Sequence, residues 1–532
     1  MPSTLDRPRT FAAACLLALA AAAALVDLGR VHAQEHADAI VPVLVSLQRW
    51  TPFYWDQERY GMLVPLLALP VRDPLWNLLL QRGLLVLAGL GSVVLLARHA
   101  LAGREWRPAG LLGVVLLLAL APAPWAFEYL GDQPYGLSLA LGLLGLACAE
   151  APSVRAGPFD PVRPERSART AGAESKGRRR LRLVCGLLLV LAAHWVNAAT
   201  GLLLLPLAVA RAAVDALEGA PRPALRARLA VDGGLLLLGL AAGQGLIQLY
   251  PLLSGHPLRL DVTPLPLAAL PAAWGRLLAR TVEGAGLPWL WTLAGAAALG
   301  LALPWGPPAE GGRRGGRGPA LLRALALLAA AAAYLLVTGS LAWVAENGFH
   351  WRYSAPSLVL VHLAALSLLA EPLARAPRLR RLALPAALAA LPLAALLAAG
   401  PPSLPRVRSD LDAVAGRWTA DLRAGRCDLV AGDYWSVWPA VWHSAWTAAE
   451  HGGVPVYGLT HRATPTMPAW QDRRDALRIC RVIGKEADAN RWLRDFGLWP
   501  VAPVQRLATV EVVVLAGPPR RSPGRAAEVR PP

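Results

Sequence analysis

The chain has 532 residues, of which 55% are hydrophobic and 17% are charged, so it is more apolar than an average soluble globular protein. Its net charge is +18, but the basic residues lie in short runs between apolar stretches and do not form one basic helix face. This pattern argues against nucleic acid as a partner. It predicts a membrane protein whose basic runs face the cytoplasmic surface of the lipid bilayer.

The apolar stretches are long enough to cross a membrane many times. A spanning helix needs about 20 mostly apolar residues, within a range of roughly 17 to 25. By this criterion the sequence predicts about eleven spans. They are residues 11–30, 77–97, 109–126, 134–150, 182–196, 199–213, 231–251, 286–305, 320–343, 356–373 and 382–399.

The segments between these spans alternate in charge. The basic ones, which fall on one side, are the N-terminus and residues 98–108, 151–181, 211–230, 306–319 and 374–381. The positive-inside rule assigns that side to the cytoplasm. An odd number of spans then places the residues after 400 outside. The first span also has the features of a cleavable signal peptide, and the N-terminus is cytoplasmic unless that span is removed.

The domain organisation follows from these spans. Residues 1–400 are predicted to form a transmembrane domain with extracytoplasmic loops at 31–76, 252–285 and 344–355. Residues 401–517 alternate between helix and strand patterns, which is typical of a small soluble α/β domain. The Pro- and Arg-rich residues 518–532 are predicted to be disordered. The predicted fold is thus a polytopic α-helical membrane protein with a small C-terminal α/β domain.

Two of the five cysteines belong to the soluble tail. Cys427 and Cys480 can form a disulfide if the tail faces an oxidising compartment. The other three lie in apolar segments, where a cysteine usually packs as a small hydrophobic residue. The sequence contains no C-x-x-C spacing, so it predicts no structural zinc site.

The first long outer loop contains the run Trp-Asp-Gln-Glu-Arg-Tyr, which begins at Trp55. It brings two carboxylates, Asp56 and Glu58, and the guanidinium of Arg59 next to an apolar segment. A carboxylate at this depth can act as a general base on a substrate carried by a lipid. The alternative interpretation is a solvated loop in which Glu58 and Arg59 balance each other's charge.

Asp56, Glu58, Arg59 and Tyr60, followed by a short apolar segment, resemble the Asp-Glu-x-Arg-Tyr loop of the GT-C superfamily of membrane glycosyltransferases. The resemblance implies a GT-C-like fold, a polyprenyl-phosphate sugar donor and an extracytoplasmic glycan, lipid or protein acceptor. It also implies a bacterial inner membrane location and a catalytic base in this loop.

The identity of that base stays open at the level of sequence. The chain reads Asp-Gln-Glu where the family commonly has adjacent acids, so both Asp56 and Glu58 are candidates. Glu35 and Asp38, nearer the end of the first span, are rivals. The resemblance also allows a divalent metal ion as cofactor, although no set of ligands in the sequence requires one.

Other predicted outer loops add polar groups that a site for a lipid-phosphate sugar would need. They include Glu128, Asp132, His350 and Arg352. Arg352 is predicted to contact a phosphate, because a guanidinium binds two phosphate oxygens at once. The alternative for the aromatic and histidine side chains around them is the belt that anchors helix ends at the membrane interface.

The tail has a run of tryptophans at steps of three and four, beginning at Trp435 just after a predicted strand. The Gly-Asp pair that ends at Asp433 lies at the carboxyl end of that strand, where α/β sheets bind ligands. Asp433 and Trp435 are therefore predicted to contact substrate. The alternative is a stripe that only packs against other parts of the protein.

These features favour a membrane glycosyltransferase over two alternatives. A transporter or flippase of lipid-linked or small polar substrates should carry ionisable groups and broken helices inside its spans. The predicted spans are dominated by Leu and Ala and have no clear duplication. An envelope assembly protein without catalysis remains the third hypothesis.

Overall fold

A computed structural model describes most of the chain. The described residues are 8–29, 31–55, 60–100, 106–150, 176–254, 263–303, 317–375, 377–453, 456–460, 476–482 and 502–516. The chain divides into two compact units. The first unit contains Met1–Val26, Leu85–Gly245 and Asp261–Pro401, and the second contains Asp27–Leu84, Leu246–Leu260 and Pro402–Pro532. The first predicted outer loop therefore folds with the C-terminal domain.

Helices account for most of the described residues. In chain order they are α1 Pro8–Asp27, α2 Ala37–Leu47, α3 Leu63–Ala68, α4 Pro74–Ala100, α5 Trp106–Leu120, α6 Ala123–Ala126, α7 Tyr135–Ala149, α8 Lys176–Val196, α9 Thr200–Leu217, α10 Arg222–Ser254, α11 Leu270–Ala285, α12 Leu287–Ala302, α13 Arg317–Gly339, α14 Ala342–Glu346, α15 Ala355–Arg375, α16 Pro377–Ala399, α17 Leu404–Ala415, α18 Thr419–Ala424 and α19 Tyr434–His451. Short 3-10 or π-helical turns occupy Val31–Gln34, Phe127–Asp132, Leu267–Ala269, Trp351–Ser354 and Gly416–Trp418.

The prediction of a polytopic helical membrane protein is confirmed, but the count of about eleven spans is not. Among the described residues, six helices are long and apolar enough to cross a membrane, or up to eight if each of two bent pairs is one span. The predicted spans 109–126 and 134–150 correspond to α5 and α7, which have 15 residues each. Helices of this length fall short of the hydrocarbon thickness, so they are not among the six to eight.

Glycines allow close helix packing in the first unit. A Cβ atom at Gly145 of α7 would lie 2.7 Å from the carbonyl oxygen of Gly186 in α8. Such an approach is open only to residues without a side chain, and it is the usual packing mode where lipid removes the hydrophobic driving force.

A sharp bend separates α11 from α12. The two helices meet at 89° around Gly286, whose φ of +74° favours glycine. The buried residues of α11 recur every four positions, which is typical of an amphipathic helix; they are Ala273, Leu277, Thr281 and Ala285. Arg276 and Arg280 lie on its exposed side.

The second unit contains a five-stranded sheet in the order β2-β1-β3-β5-β4. The strands are β1 Leu429–Ala431, β2 Tyr457–Leu459, β3 Ala476–Val482, β4 Gln505–Arg506 and β5 Val510–Ala516. β1 pairs in parallel with β2 and β3, whereas β5 pairs antiparallel with β3 and β4. The predicted α/β domain is thus present. The predicted disordered tail 518–532 lies outside the described residues.

A disulfide joins Cys427, just before β1, to Cys480 in β3, with Cα atoms 5.7 Å apart. It ties two strands that are 53 residues apart in the chain. The cross-link therefore closes a long loop of the second unit.

The core of the second unit is shared by the first loop and the C-terminal domain. Trp438 and Trp442 of α19 are fully buried in the same hydrophobic cluster as Ile40 and Leu44 of α2. The indole Nε1 of Trp442 donates a hydrogen bond to the carbonyl oxygen of Pro74 at 3.3 Å. The tryptophan stripe of α19 thus packs against α2, and each helix covers the apolar face of the other.

Candidate functional site

A buried ionic cluster follows the first helix in the second unit. Arg82 of α4 donates from Nε to Glu35 Oε1 at 2.6 Å and from Nη2 to Glu35 Oε2 at 2.8 Å, a bidentate pair. Nη2 also donates to the carbonyl oxygen of Ala39 at 2.6 Å. The imidazole of His32 lies 3.4 Å from Glu35 Oε1 and 3.7 Å from Asp27 Oδ1. All four of these ionisable side chains are buried.

The charges in this cluster stabilise one another. Burial alone would raise the pKa of the Glu35 carboxyl, but Arg82 and His32 more than offset it and lower that pKa to about 2. Burial alone would lower the pKa of His32, yet the neighbouring Glu35 and Asp27 raise it above its ordinary value. Glu35 is therefore held as a carboxylate, and both its oxygens are engaged by Arg82.

Asp38 lies one turn further on, with a different partner. It is in the first turn of α2, where a carboxylate is favoured by the helix dipole, and it is 6% exposed. The hydroxyl of Tyr434 donates to Asp38 Oδ1 at 2.7 Å. The hydroxyl of Tyr54 is hydrogen-bonded to that of Tyr434. Arg82 engages both oxygens of Glu35, whereas a hydroxyl donates to Oδ1 of Asp38, so Asp38 is the stronger of the two candidates for accepting a proton.

Three of the predicted loop residues, Asp56, Glu58 and Arg59, lie outside the described residues. The segments before and after them, residues 52–54 and 60–62, are joined by backbone hydrogen bonds. The amide N–H of Tyr54 donates to the carbonyl oxygen of Tyr60 at 3.0 Å, and that of Met62 donates to Pro52 at 3.0 Å. The side chain of Tyr60 is half-buried against the core of the second unit.

Sequence reasoning missed Arg82 and the two tyrosines. Arg82 falls in a predicted span, together with the polar residues Asn77 and Gln81, and all three are buried. Their presence in the first third of α4 was a usable signal, because an ionisable residue within a span usually marks a functional or structural polar site. Tyr54 and Tyr434 carry no such signal, since tyrosines at a membrane boundary read as interfacial anchors.

Asp433 and Trp435 lie at the start of α19. Asp433 caps this helix, since its Oδ1 accepts the amide N–H groups of Trp435 at 3.1 Å and Ser436 at 3.2 Å. The ring of Trp435 is 48% exposed and lies edge-on to His36, with ring centroids 5.7 Å apart. The other tryptophans of the stripe are buried, so packing accounts for them: Trp438, Trp442 and Trp446.

Glu128 and Asp132 belong to the first unit and share the π-helical turn Phe127–Asp132. Both side chains are 7% exposed. The turn is held by Tyr129, whose ring stacks on Trp125 with centroids 5.1 Å apart and whose hydroxyl is hydrogen-bonded to Ser92 at 2.8 Å. Turns of this kind are frequent at functional sites, and a substrate-binding role for these two acids stays a prediction.

His350 caps the 3-10 turn Trp351–Ser354, which contains Arg352 and also belongs to the first unit. The amide N–H of Arg352 donates to His350 Nδ1 at 3.2 Å, and the Arg352 guanidinium donates to the hydroxyl of Tyr353 at 3.1 Å. His350 is exposed and Arg352 is half-buried. The turn therefore holds a guanidinium at the protein surface.

The first unit has a cavity of about 400 Å³, lined by Arg276, Arg280, Glu283, Gly348 and Phe349 among others. Gly348 and Phe349 directly precede His350 in the chain. The guanidinium of Arg276 lies 5.2 Å from the ring centroid of Phe349. Phe349 has a φ of +54°, a left-handed conformation that is unfavourable for a bulky residue. Arg280 pairs with Glu283 at 2.7 Å. Arg276 gives the lining a positive charge beyond the Arg280–Glu283 pair, which makes this cavity suitable for an anion.

Comparisons with known proteins gave matches among solved structures only. No family model and no curated protein matches the chain. A crystal structure of ArnT from Cupriavidus metallidurans bound to undecaprenyl phosphate matches with a TM-score of 0.48 and 14% identity, over 95% of this chain and 97% of that one. This chain is similar to ArnT. The structure of ArnT in the apo state matches over the same shares of both chains, with a TM-score of 0.37 and 14% identity.

Proposed function

We propose that the chain is a membrane glycosyltransferase of the GT-C type, which moves a sugar from a polyprenyl-phosphate donor to an extracytoplasmic acceptor. The observation that supports this proposal is the environment of Asp38. A buried carboxylate in the first loop receives a hydrogen bond from Tyr434, while the nearby Glu35 is committed to Arg82. Glycosyl transfer needs such a base, because the acceptor must lose a proton as it attacks.

In the proposed reaction, the acceptor hydroxyl or amine attacks the anomeric carbon of the donor sugar. A new bond forms between the acceptor atom and that carbon, and the bond from the carbon to the phosphate oxygen breaks. The proton of the acceptor passes to the carboxylate, and the polyprenyl phosphate leaves with the bonding electron pair. Guanidinium groups stabilise the negative charge that develops on the phosphate.

Three carboxylates are candidates for the base. Asp38 is supported by its burial and by its hydrogen bond from Tyr434. Asp56 and Glu58 are supported by the resemblance of their loop to the GT-C motif, in which Arg59 and Tyr60 would contact the donor. Glu35 is less suitable, because Arg82 occupies both of its oxygens.

The lipid phosphate would be bound by basic residues of the first unit. Arg276 and Arg280 line the cavity beside α11, and Arg352 lies just after Phe349 in the chain. A guanidinium suits this role because it offers two parallel donors to phosphate oxygens. Glu128 and Asp132 would contact hydroxyl groups of the substrate, and His350 would accompany Arg352.

The acceptor side would be formed by the second unit. Trp435 is half-exposed and offers a ring face on which a sugar can stack, and Asp433 precedes it at the carboxyl end of β1. The acceptor would then approach the same unit that carries Asp38.

The support for an extracytoplasmic location of the second unit does not depend on the total number of spans. Residues 27–84 and 402–516 share one hydrophobic core, so they must lie on the same side of the membrane. The basic N-terminus favours a cytoplasmic start, which puts the first loop outside. The disulfide between Cys427 and Cys480 fits an oxidising compartment such as the bacterial periplasm.

The test is transfer of sugar from radiolabelled polyprenyl-phosphate donors by the purified protein in lipid. The variants are Asp38→Asn, Asp56→Asn and Glu58→Gln, with Asp410→Asn, a partly exposed carboxylate of α17, as the matched control. Loss of transfer in one of the three, with the control active, identifies the base. Absence of transfer by the wild type with every donor, together with substrate flux in liposomes, would replace the enzyme with a transporter.

A further inference from the structure

Two tyrosine hydroxyl groups, those of Tyr54 and Tyr434, form a hydrogen-bonded chain that ends at Asp38. The hydroxyl of Tyr434 donates its hydrogen to Asp38 Oδ1, and the two oxygens are 2.7 Å apart. Because a phenol has a single hydrogen, Tyr54 must be the donor in the bond between the two tyrosines. The order of donation is therefore from Tyr54 to Tyr434 and from Tyr434 to Asp38.

All three side chains are buried within the second unit. Tyr434 is 1% exposed, Tyr54 is 3% exposed and Asp38 is 6% exposed. Tyr434 is also the first residue of α19, directly after the Asp433 cap, so the capped helix end holds its backbone. Tyr54 is held through its amide N–H, which donates to Tyr60. A hydroxyl fixed at both ends in this way has little freedom to leave the carboxylate.

We propose that Tyr434 is a positioning residue for Asp38 and that Tyr54 orients Tyr434. The C-terminal domain would thus supply a residue that orients the catalytic base of the first loop. By donating to Oδ1, Tyr434 restricts the rotation of the Asp38 carboxylate and so sets its orientation for proton transfer. This inference rests on the proposed function, with Asp38 as the base.

A purely structural role makes a different prediction. If the tyrosines only join the two segments of the core, their loss lowers stability and leaves the turnover of the folded protein unchanged. A positioning role instead lowers kcat and leaves the KM for the donor unchanged, because the interaction matters chiefly in the transition state.

The experiment compares Tyr434→Phe, Tyr54→Phe and the double variant with the wild type in the same transfer assay. Tyr457→Phe, a half-buried tyrosine of β2 in the same unit, is the matched control. We expect Tyr434→Phe to lower kcat by about tenfold to hundredfold, as loss of a hydrogen bond to a charged group should. KM should stay within about twofold. The double variant should be no slower than Tyr434→Phe alone, because Tyr54 acts through Tyr434.

Three results would overturn the inference. One is a folded Tyr434→Phe with an unchanged kcat or with an effect on KM alone. Another is an additive loss in the double variant. The third is an active Asp38→Asn, since there would then be no base to position. If Tyr434→Phe does not fold, the Tyr54→Phe variant is the test, because it keeps the hydrogen bond from Tyr434 to Asp38. A lower kcat in Tyr54→Phe supports the inference, and an unchanged kcat overturns it.

Failure of the proposed function is distinguishable from these results. It requires that the wild type transfer no sugar from any donor. Activity in the wild type that depends on Asp56 or Glu58 and not on Asp38 would keep the glycosyltransferase and remove only the positioning role.

Discussion

Glu35 and Asp38 lie three residues apart, yet their carboxylates have different surroundings. Glu35 is paired in bidentate fashion with Arg82, and Asp38 accepts from the phenol of Tyr434. The first arrangement neutralises a charge and the second leaves a carboxylate able to take a proton. At the scale of residues, the bidentate pair therefore identifies Glu35 as a structural acid, and Asp38 is the candidate base.

The ion pair should be important for stability. Arg82→Gln would leave Glu35 buried without its cation, and we expect it to lower the free energy of unfolding by about 3–5 kcal/mol. Thermal unfolding of the purified protein in detergent would measure the loss. The double variant Arg82→Gln/Glu35→Gln should recover part of it, because the unpaired charge is then gone. An unchanged midpoint in the single variant would contradict the prediction.

Because the pKa of His32 is raised, its contribution to the stability of the fold depends on pH. A group whose pKa is higher in the folded state stabilises the fold fully below its ordinary value, and this contribution is lost as the pH rises through the folded pKa. The wild type should therefore exceed His32→Gln in unfolding temperature at pH 5.5, and the difference should shrink toward pH 8.5. His451→Gln, which replaces an exposed histidine of α19, is the control.

Among the elements, α11 combines a buried stripe with two outward arginines beside a cavity. We expect Arg276→Gln and Arg280→Gln each to raise the KM for a polyprenyl-phosphate donor by about tenfold or more, through loss of a charge-assisted contact to phosphate. Steady-state kinetics over a range of donor concentrations would measure it. Arg226→Gln, an exposed arginine of α10, should leave this KM unchanged. Equal KM values in all variants would argue against a phosphate site in this cavity.

The disulfide acts on the sheet of the second unit. It spans a separation of 53 residues, so chain entropy predicts a stabilisation of about 4 kcal/mol. The double variant Cys427→Ser/Cys480→Ser should unfold at a lower temperature than the wild type and should not respond to reductant. Cys185→Ser, which removes an exposed free thiol, is the control. If reductant leaves the unfolding of the wild type unchanged, the bond does not support the fold.

At the scale of the whole molecule, the shared core puts the first loop and the C-terminal domain on one side of the membrane. Single cysteines introduced at the exposed Arg72 and His451 should both react with a membrane-impermeant thiol reagent added to the outside of the membrane. A cysteine at Arg226 should react only after the membrane is opened, because that segment is predicted to be cytoplasmic. The background would carry Cys185→Ser. Opposite labelling of Arg72 and His451 would contradict the shared core.

The sequence by itself determined the class of the protein and the kind of elements it contains. Composition and long apolar runs predicted a polytopic helical membrane protein, and the alternation of patterns after residue 400 predicted an α/β domain. Both are local properties, since hydropathy and periodicity are read within a window of about 20 residues. The count of about eleven spans was not confirmed, because a window records apolarity and not whether a helix reaches across the bilayer.

Only the tertiary structure decided how the acids are used. Arg82 is 47 residues from Glu35, and Tyr434 is 396 residues from Asp38. No pattern in the intervening sequence links such pairs, because the contacts depend on the packing of α19 and α4 against the first loop. The tryptophan stripe was visible as a helical period, but only the fold identified its partner. The physical reason is that long-range contacts depend on which surfaces exclude water together, and this is a property of the assembled core.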